Sequence, residues 1–281
     1  MAEIPLVYGE PIRIYTHCTN SKERLHIRTL CDFFNDVAEQ HTRLEGVDVP
    51  MLNRQGLTWM LRRIHIRIPD MPRKEEEVWL RTWCSGVDGL FVNRDYEMSA
   101  GERIRAHAHS EWMIIDVEKR RPSRPTPFMV EEAARCTQPA WAYGSLFDKA
   151  ERRGRIALPE EPPFAAGSFK ARFDDIDFNG HVTQASYVQW MMDALPFEFM
   201  KTHTLREIDV IYEREIPPSA TVEVRCFKVK PSAEEPSCPD GAETADGVPA
   251  VSETGLVRFS HWVLNGEAQP HCVARSVWQK D

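Results

Sequence analysis

The stretch that decides the fold runs from Phe173 to Leu195 and reads FDDIDFNGHVTQASYVQWMMDAL. Its second half carries apolar residues at positions i, i+3, i+4 and i+7, which is the stripe of an amphipathic helix. The residues of this stripe are Val188, Met191, Met192 and Leu195. Pro196 is expected to end the helix. The pattern therefore predicts a helix from Gln184 to Leu195 whose apolar face packs on a large surface.

The first half of the stretch is polar and holds candidate catalytic residues. Asp177, Asn179 and His181 occur at every second position, so an extended backbone would point them to one side. Thr183 is the expected N-cap, and a helix start favours an oxyanion beside it. An acid, an amide and an imidazole there could position water, polarise a carbonyl and transfer protons. The alternative is a structural role, since these residues are also common in turns and caps.

Composition limits the class of protein. The chain has 281 residues of which 42% are hydrophobic, and this is enough for one large core or, as we expect, two domains. No apolar run reaches the length of about 20 residues that a membrane span needs. The net charge of −8 argues against nucleic-acid binding. Seven cysteines without a CxxC pair, and an N-terminus without signal or transit character, predict a cytoplasmic protein.

The chain contains a repeat of about half its length. In each half a helical pattern is followed by four strand-like runs, which predicts an α+β fold with one long helix on an antiparallel sheet per half. The expected boundaries are a first domain at 1–140, a linker at 141–163 and a second domain at 164–281. Residues 231–255, rich in Pro, Gly, Ser and acids, are expected to form a long hairpin loop.

Alignment of the two helices identifies the half that can carry chemistry. When Trp190 and Met191 are placed on Phe33 and Phe34, the three candidate residues of the second half fall opposite Asn20, Lys22 and Arg24. Glu215, on the next strand-like run, falls opposite Arg67. The first half therefore lacks every acid–base candidate, and we expect it to serve packing or substrate binding.

Several motifs together resemble one known family. They are DIDFNGHVTQASYVQWMMD and IYEREIP in the second half, and GLTWMLRRIHIRIP, VWLRTW, RDYEM and SEWMIIDVEKRRPSRP in the first. The chain resembles the acyl-ACP (acyl carrier protein) thioesterases, which are built as two tandem hotdog domains. The resemblance implies hydrolysis of the thioester between a fatty acyl chain and the phosphopantetheine arm of its carrier, which releases a free fatty acid and terminates fatty acid synthesis. It implies no metal and no cofactor.

The resemblance also assigns roles to residues. Asp177, Asn179, His181 and Glu215 match the catalytic positions of the family. In these roles, Asn179 and helix-start amides bind the thioester carbonyl, His181 orients groups or transfers a proton, and Asp177 or Glu215 is the carboxylate that activates water or attacks directly. Family members often have a cysteine where this chain has Ile216, so a thiol nucleophile is excluded there.

Substrate and carrier sites follow from the same resemblance. It places the acyl tunnel in the first domain, where the candidate wall residues are Phe33, Phe34, Val37, Trp59 and Met60. Carrier proteins are acidic, so a basic patch is the expected docking site, with the candidates Lys119, Arg120, Arg121 and Arg124. Because single hotdog domains pair, the expected state is a monomer with an internal pseudo-dimer, or a homodimer.

Other readings of the same residues remain open. The chain could be an acyl-CoA thioesterase, or a hotdog hydratase or dehydratase, although those enzymes tend to have proline between the Asn and the His, where this chain has only Gly180. It could also be an acyl-thioester sensor without catalysis, but such regulators usually carry a helical DNA-binding domain, which we do not expect in these residues. A metal site formed by Asp177, His181 and Glu215 is a further alternative.

Overall fold

The computed structural model describes residues 4–138, 145–147, 157–177, 179–229 and 255–281. The chain divides into two units, one comprising Met1–Ile66 and Asp70–Ala142 and the other Arg67–Pro69 and Tyr143–Asp281. Most of the expected linker at 141–163, and nearly all of the expected hairpin loop at 231–255, lie outside the described residues. No helix of the described ranges combines the length and the apolarity needed to cross a membrane.

The first unit is a helix packed on a sheet. The long helix is α1 (Ile27–Glu45), and two short helices follow, α2 (Val49–Asn53) and α3 (Pro127–Arg135). The strands are β1 (Val7–Arg13), β2 (Leu57–Arg67), β3 (Glu77–Asp88), β4 (Phe91–Ala100), β5 (Arg103–Asp116) and β6 (Arg121–Ser123). They lie in the order β1-β3-β4-β5-β2, with antiparallel pairing from β1 to β5, and β6 folds back on β5.

The second unit repeats this arrangement. Its helices are α4 (Gln184–Asp193) and α5 (Phe197–Thr202). Its strands are β7 (Ala165–Lys170), β8 (His203–Tyr212), β9 (Thr221–Val229), β10 (Leu256–Leu264) and β11 (Pro270–Lys280). The order β7-β9-β10-β11-β8 is that of the first unit, and its pairs are antiparallel. The prediction of one long helix on an antiparallel sheet in each half is confirmed.

The two long helices bury the stripes that the sequence predicts. In α1, Leu30, Phe34, Val37 and Ala38 are buried, whereas Phe33 is half-buried. This helix ends at Gly46, whose φ of 70° suits glycine and lets its N–H reach the last carbonyls of the helix. In α4 the predicted stripe is buried, namely Val188, Met191, Met192 and Leu195. The helix stops at Asp193, two residues earlier than predicted, because Pro196 disfavours helical backbone before it.

A strand that the sequence did not reveal forms one edge of the second sheet. β7 reads AAGSFK and pairs with β9. Its residues are mostly small, so the alternation that marks a strand is weak. Gly167 lets the Phe169 ring lie close to the strand, since a Cβ at this position would be 2.7 Å from that ring.

The core of the second unit contains a polar network. His261 is fully buried, and its Nε2 lies 2.7 Å from the Ser276 hydroxyl while its Nδ1 lies 3.2 Å from the Cys226 sulfur. The Trp278 indole donates to the same serine at 2.8 Å. Burial lowers the pKa of His261 to about 3 and raises the pKa of Cys226 to about 12, so both groups are neutral. They stabilise the core and are closed to substrate.

Candidate active site

The predicted residues Asp177, Asn179 and His181 lie in a tight turn between a 3₁₀ turn (Phe173–Asp175) and α4. The Asp177 Oδ1 accepts the N–H groups of Asn179 at 2.9 Å and of His181 at 3.2 Å. The Asp177 N–H donates to the His181 carbonyl at 2.8 Å, and Gly180 has a φ of 80°. The extended conformation considered from the sequence is therefore wrong here. The aspartate closes the turn through its own side chain, which competes with strand formation.

Glu215 reaches this turn from the end of β8. After Tyr212 the backbone leaves the sheet, and the N–H groups of Glu213 and Arg214 both donate to the His271 carbonyl, at 2.8 and 3.0 Å. The Glu215 Oε2 lies 3.5 Å from the His181 Nε2. These two side chains are 49% and 47% exposed, so water reaches both. The structure thus brings together the acid and the imidazole that the sequence places 34 positions apart.

The remaining site residues have distinct surroundings. The Asn179 side chain is exposed, next to the turn. Thr183 occupies the N-cap position as predicted, but within the described residues its hydroxyl makes no capping hydrogen bond. Ile216 is fully buried, directly after Glu215. The cysteines that the structure describes are free, and Cys226 and Cys272 are fully buried.

Tyr187 is a residue of this site to which the sequence analysis gave no role. Its hydroxyl donates to the Arg214 carbonyl at 3.4 Å and accepts the Ile216 N–H at 3.1 Å. It therefore contacts the peptide groups on both sides of Glu215. The only sequence signal was a tyrosine on the buried face of the helix, where a phenol needs a polar partner.

The first unit contains the same turn without the same chemistry. The 3₁₀ turn Thr16–Cys18 and the start of α1 each have a counterpart 157 positions later in the second unit. The same shift places Asn20 opposite Asp177. The bridge between Thr19 and Leu25 matches that between Ile176 and Val182. The Asn20 Oδ1 accepts the N–H groups of Lys22 at 2.9 Å and Arg24 at 3.2 Å, which are the distances found at Asp177. The turn therefore needs an oxygen acceptor but no negative charge.

The residues predicted to line the acyl tunnel lie in the first unit. Some of them lie on α1 and the others on β2. Phe34 and Val37 are fully buried on α1, and the Phe34 ring packs 4.9 Å from that of Tyr96. Trp59 is half-buried in a cluster with Leu52 and Met129, and its indole donates to the Val47 carbonyl at 2.8 Å. Phe33 and Met60 are also half-buried.

The predicted docking residues surround the β5–β6 hairpin. Lys119, Arg120, Arg121 and Arg124 are all exposed. The Lys119 ammonium pairs with Asp116 at 2.7 Å, so its charge is partly compensated. Over the described ranges, no group of three or more His, Cys, Asp and Glu side chains has the arrangement to hold a metal ion.

Two family models match the chain. The acyl-ACP thioesterase N-terminal domain matches residues 5–132, and the acyl-ACP thioesterase C-terminal domain matches residues 162–280. Among curated proteins, the chloroplastic oleoyl-acyl carrier protein thioesterase 2 of Arabidopsis thaliana is 25% identical over 218 residues, which cover 74% of this chain and 59% of the relative. The chain spans about six tenths of the length of the curated relatives it matches first.

Solved structures show the same fold along nearly the whole chain. An acyl-ACP thioesterase from Bacteroides thetaiotaomicron is 22% identical with a TM-score of 0.75, covering 97% of this chain and 98% of that one. A 12:0-ACP thioesterase from Umbellularia californica is 16% identical with a TM-score of 0.76, covering 98% and 95%. The predicted tandem hotdog fold is confirmed by these likenesses.

Proposed function

Because the chain belongs to the acyl-ACP thioesterase family, we propose that it hydrolyses the thioester of a fatty acyl-ACP. The products are a free fatty acid and the carrier with its thiol restored, so the reaction ends elongation of that acyl chain. The names of the relatives support this substrate class, since they are oleoyl- and palmitoyl-ACP thioesterases.

The observation that carries the proposal is the pair formed by His181 and Glu215. Their 3.5 Å separation and their half exposure suit a carboxylate that takes a proton from water. The water oxygen attacks the thioester carbonyl carbon, the C–S bond breaks, and the proton passes through His181 to the leaving sulfur. Asp177 is less suited to be the base because its Oδ1 already holds two backbone N–H groups.

The oxyanion that forms on the carbonyl needs donors beside this pair. We propose Asn179 and the first amides of α4 for that role, since they flank the turn and Thr183 makes no side-chain cap over them among the described residues. Asp177 then closes the turn that carries Asn179 and His181.

The two units divide the work in this proposal. The second domain, at 164–281, carries the catalysis, and the first, at 1–140, binds the acyl chain between its helix and sheet. The linker at 141–163 joins them, and the pair acts as an internal pseudo-dimer, in a monomer or a homodimer. Carrier protein docks on the basic hairpin around Arg120 and Arg121. Free thiols at the described cysteines suit a reducing compartment such as the cytoplasm.

A thiol-release assay tests the proposed activity. The purified protein is given a series of acyl-ACP and matched acyl-CoA thioesters, and free thiol is measured for wild type, Glu215→Gln and His181→Ala. We expect release from acyl-ACP, and a loss of about 10²–10⁴-fold in each variant while the protein stays folded. Cys272→Ala is the control and should remain active.

Other results would contradict the proposal. Release from acyl-CoA alone would make the protein an acyl-CoA thioesterase. Addition or removal of water without thiol release would indicate a hydratase or dehydratase. Binding of acyl-ACP without any product would indicate a sensor. Full activity of Glu215→Gln would remove the carboxylate from the mechanism.

A further inference from the structure

The segment that carries Glu215 lies outside the sheet. It leaves β8 after Tyr212, is exposed from Glu213 to Glu215, and returns to the core at the fully buried Ile216. The carbonyl of His271 holds its first two N–H groups. These bonds fix the point where the segment leaves the sheet, and the His271 ring also hydrogen-bonds the backbone of Arg214 and of Glu215. Two peptide groups, the Arg214 carbonyl and the Ile216 N–H, adjoin Glu215 on either side.

The hydroxyl of Tyr187 contacts both of those peptide groups. It donates to the carbonyl of Arg214 and accepts the N–H of Ile216, so it spans the residue between them. The Tyr187 ring is buried and held at right angles to the ring of Tyr212, with 5.5 Å between ring centroids. Burial above all, and the negative charges of Glu215 and Asp177, raise the pKa of this phenol. It therefore stays protonated and can donate and accept at once.

The first unit shows what the fold alone requires at this position. Leu30 is the counterpart of Tyr187 under the same shift of 157 positions, and it is fully buried. An apolar side chain is thus sufficient for packing between helix and sheet. The hydroxyl occurs in the unit that has Glu215, and the alignment of the two halves of the sequence places Arg67 opposite Glu215.

We propose that Tyr187 is a positioning residue that fixes Glu215 beside His181 by holding the peptide groups on either side of it. This inference rests on the proposed function, in which Glu215 is the carboxylate that activates water. Restricting the backbone on both sides of a reactive residue holds its side chain in the productive geometry. Since Tyr187 lies on α4, it also ties Glu215 to the helix whose start adjoins the turn with His181.

The test removes the hydroxyl and keeps the ring. We expect Tyr187→Phe to lower kcat by about 10-fold or more with an unchanged KM, because binding of the acyl chain does not involve Glu215. In the double variant with Glu215→Gln, the rate should equal that of Glu215→Gln alone, since the hydroxyl acts through the carboxylate. Tyr8→Phe is the matched control. It removes a phenol that donates to Glu10 at 2.8 Å in the first unit, and kcat should not change.

A second readout does not depend on activity. The Ile216 amide is bound by the Tyr187 hydroxyl, so its hydrogen exchange should speed up in Tyr187→Phe and stay unchanged in Tyr8→Phe. The proposal would be overturned if the hydrogen exchange of Ile216 stayed unchanged in Tyr187→Phe, or if that variant changed only KM. It would also be overturned if adding Tyr187→Phe to Glu215→Gln lowered kcat by the same factor as Tyr187→Phe does in the wild-type protein.

The outcomes also separate this inference from the proposed function. An inactive Glu215→Gln with a fully active Tyr187→Phe would overturn the positioning role alone, whereas a fully active Glu215→Gln would overturn the role of the carboxylate and this inference with it. If Tyr187→Phe does not fold, Tyr187→Leu, which copies Leu30, is measured in its place. Failure of both to fold would assign Tyr187 to stability and overturn the proposal.

Discussion

At the scale of single residues, Asp177 has two properties that can be separated by experiment. Its Oδ1 closes the turn by accepting two backbone N–H groups, and its carboxylate brings a negative charge to that turn. Asn20 makes the same two hydrogen bonds in the first unit without a charge. An amide at position 177 can therefore keep the turn and remove only the charge.

The first prediction concerns Asp177→Asn. The free energy of unfolding should change by less than about 1 kcal/mol, since the two hydrogen bonds to the amide oxygen remain. The turnover of acyl-ACP should fall by about 10²-fold or more, because the candidate active site loses a negative charge while its turn is kept. Urea unfolding and thiol release measure the two effects.

The matched control is the reverse change in the other unit, Asn20→Asp, which should leave turnover unchanged. Wild-type turnover in Asp177→Asn would limit the aspartate to closing the turn. Unfolding of that variant would show that the two turns are not equivalent.

At the scale of elements, Asp175 joins the 3₁₀ turn, the candidate loop and α4. Its buried carboxylate accepts the Ser186 hydroxyl at 2.8 Å and the Arg172 N–H at 3.0 Å, and its carbonyl accepts the Thr183 N–H at 2.8 Å. Hydrogen bonds from Asp175, in the preceding 3₁₀ turn, therefore hold the start of α4. This explains how α4 begins at a fixed residue although the Thr183 side chain does not cap it within the described structure.

The second prediction is that Asp175→Ala destabilises the protein by about 2–3 kcal/mol, since it leaves the Ser186 hydroxyl and the Arg172 N–H without their acceptor. Ser186→Ala should cost about 1–2 kcal/mol. The double variant should cost less than the two single losses together, because both remove one shared hydrogen bond. Urea unfolding measures the stability of all three variants. Strictly additive losses would contradict a hydrogen bond shared by Asp175 and Ser186.

The elements also show how far the sequence could lead. The helical periodicity in each half, and the strand-like runs that follow it, predicted the two long helices and their sheets, because buried apolar faces leave a regular pattern. β7 left no such pattern, since its small residues pack by close approach. A turn at Asp177 was one of two alternatives that the sequence left open, because every-second-residue spacing does not reveal a side chain that bonds its own backbone. The pairing of His181 with Glu215 came only from resemblance, as contacts between distant segments are not encoded locally.

At the scale of the whole molecule, charge is unevenly distributed. The chain has a net charge of −8, but the region of the β5–β6 hairpin presents four exposed basic residues. An acidic carrier would be attracted to this basic region. This arrangement favours docking at one place.

The third prediction tests that surface. Replacing Arg120, Arg121 and Arg124 together by glutamate should raise KM for acyl-ACP by roughly 10-fold, mainly through slower encounter, and added salt should weaken wild-type binding in the same way. Hydrolysis of a small acyl thioester should not change. Arg54→Glu, an exposed reversal elsewhere in the first unit, is the control. Equal kinetics for wild type and the triple variant on acyl-ACP would dismiss the patch.

The fourth prediction concerns the pH dependence of stability. Burial lowers the pKa of His261 to about 3 from an ordinary 6.5. Below pH 6.5 the unfolded chain therefore binds a proton that the folded chain does not, so stability falls as the pH drops toward 3. The shift at His261 alone should lower the free energy of unfolding by about 2 kcal/mol between pH 6.5 and 5.

Urea unfolding at several pH values checks the effect. His261→Gln should be less stable at neutral pH, since it disturbs the network with Ser276, but its stability should decline less steeply over that window. His41, whose pKa is lowered to about 4 mainly by burial, will still contribute in the same direction. Parallel pH profiles for wild type and variant would contradict the assignment.

The matched turns at Asn20 and Asp177 also bear on the origin of the two units. The two loops keep the same hydrogen bonds while they differ at each of the three candidate catalytic positions, which is the pattern expected from duplication of one ancestral domain. Glu23 has a φ of 56°, and its counterpart Gly180 has a φ of 80°. The first unit therefore keeps a backbone bend that glycine adopts more easily. The first unit therefore shows that this turn persists in the fold without the acid and the imidazole found in the second unit.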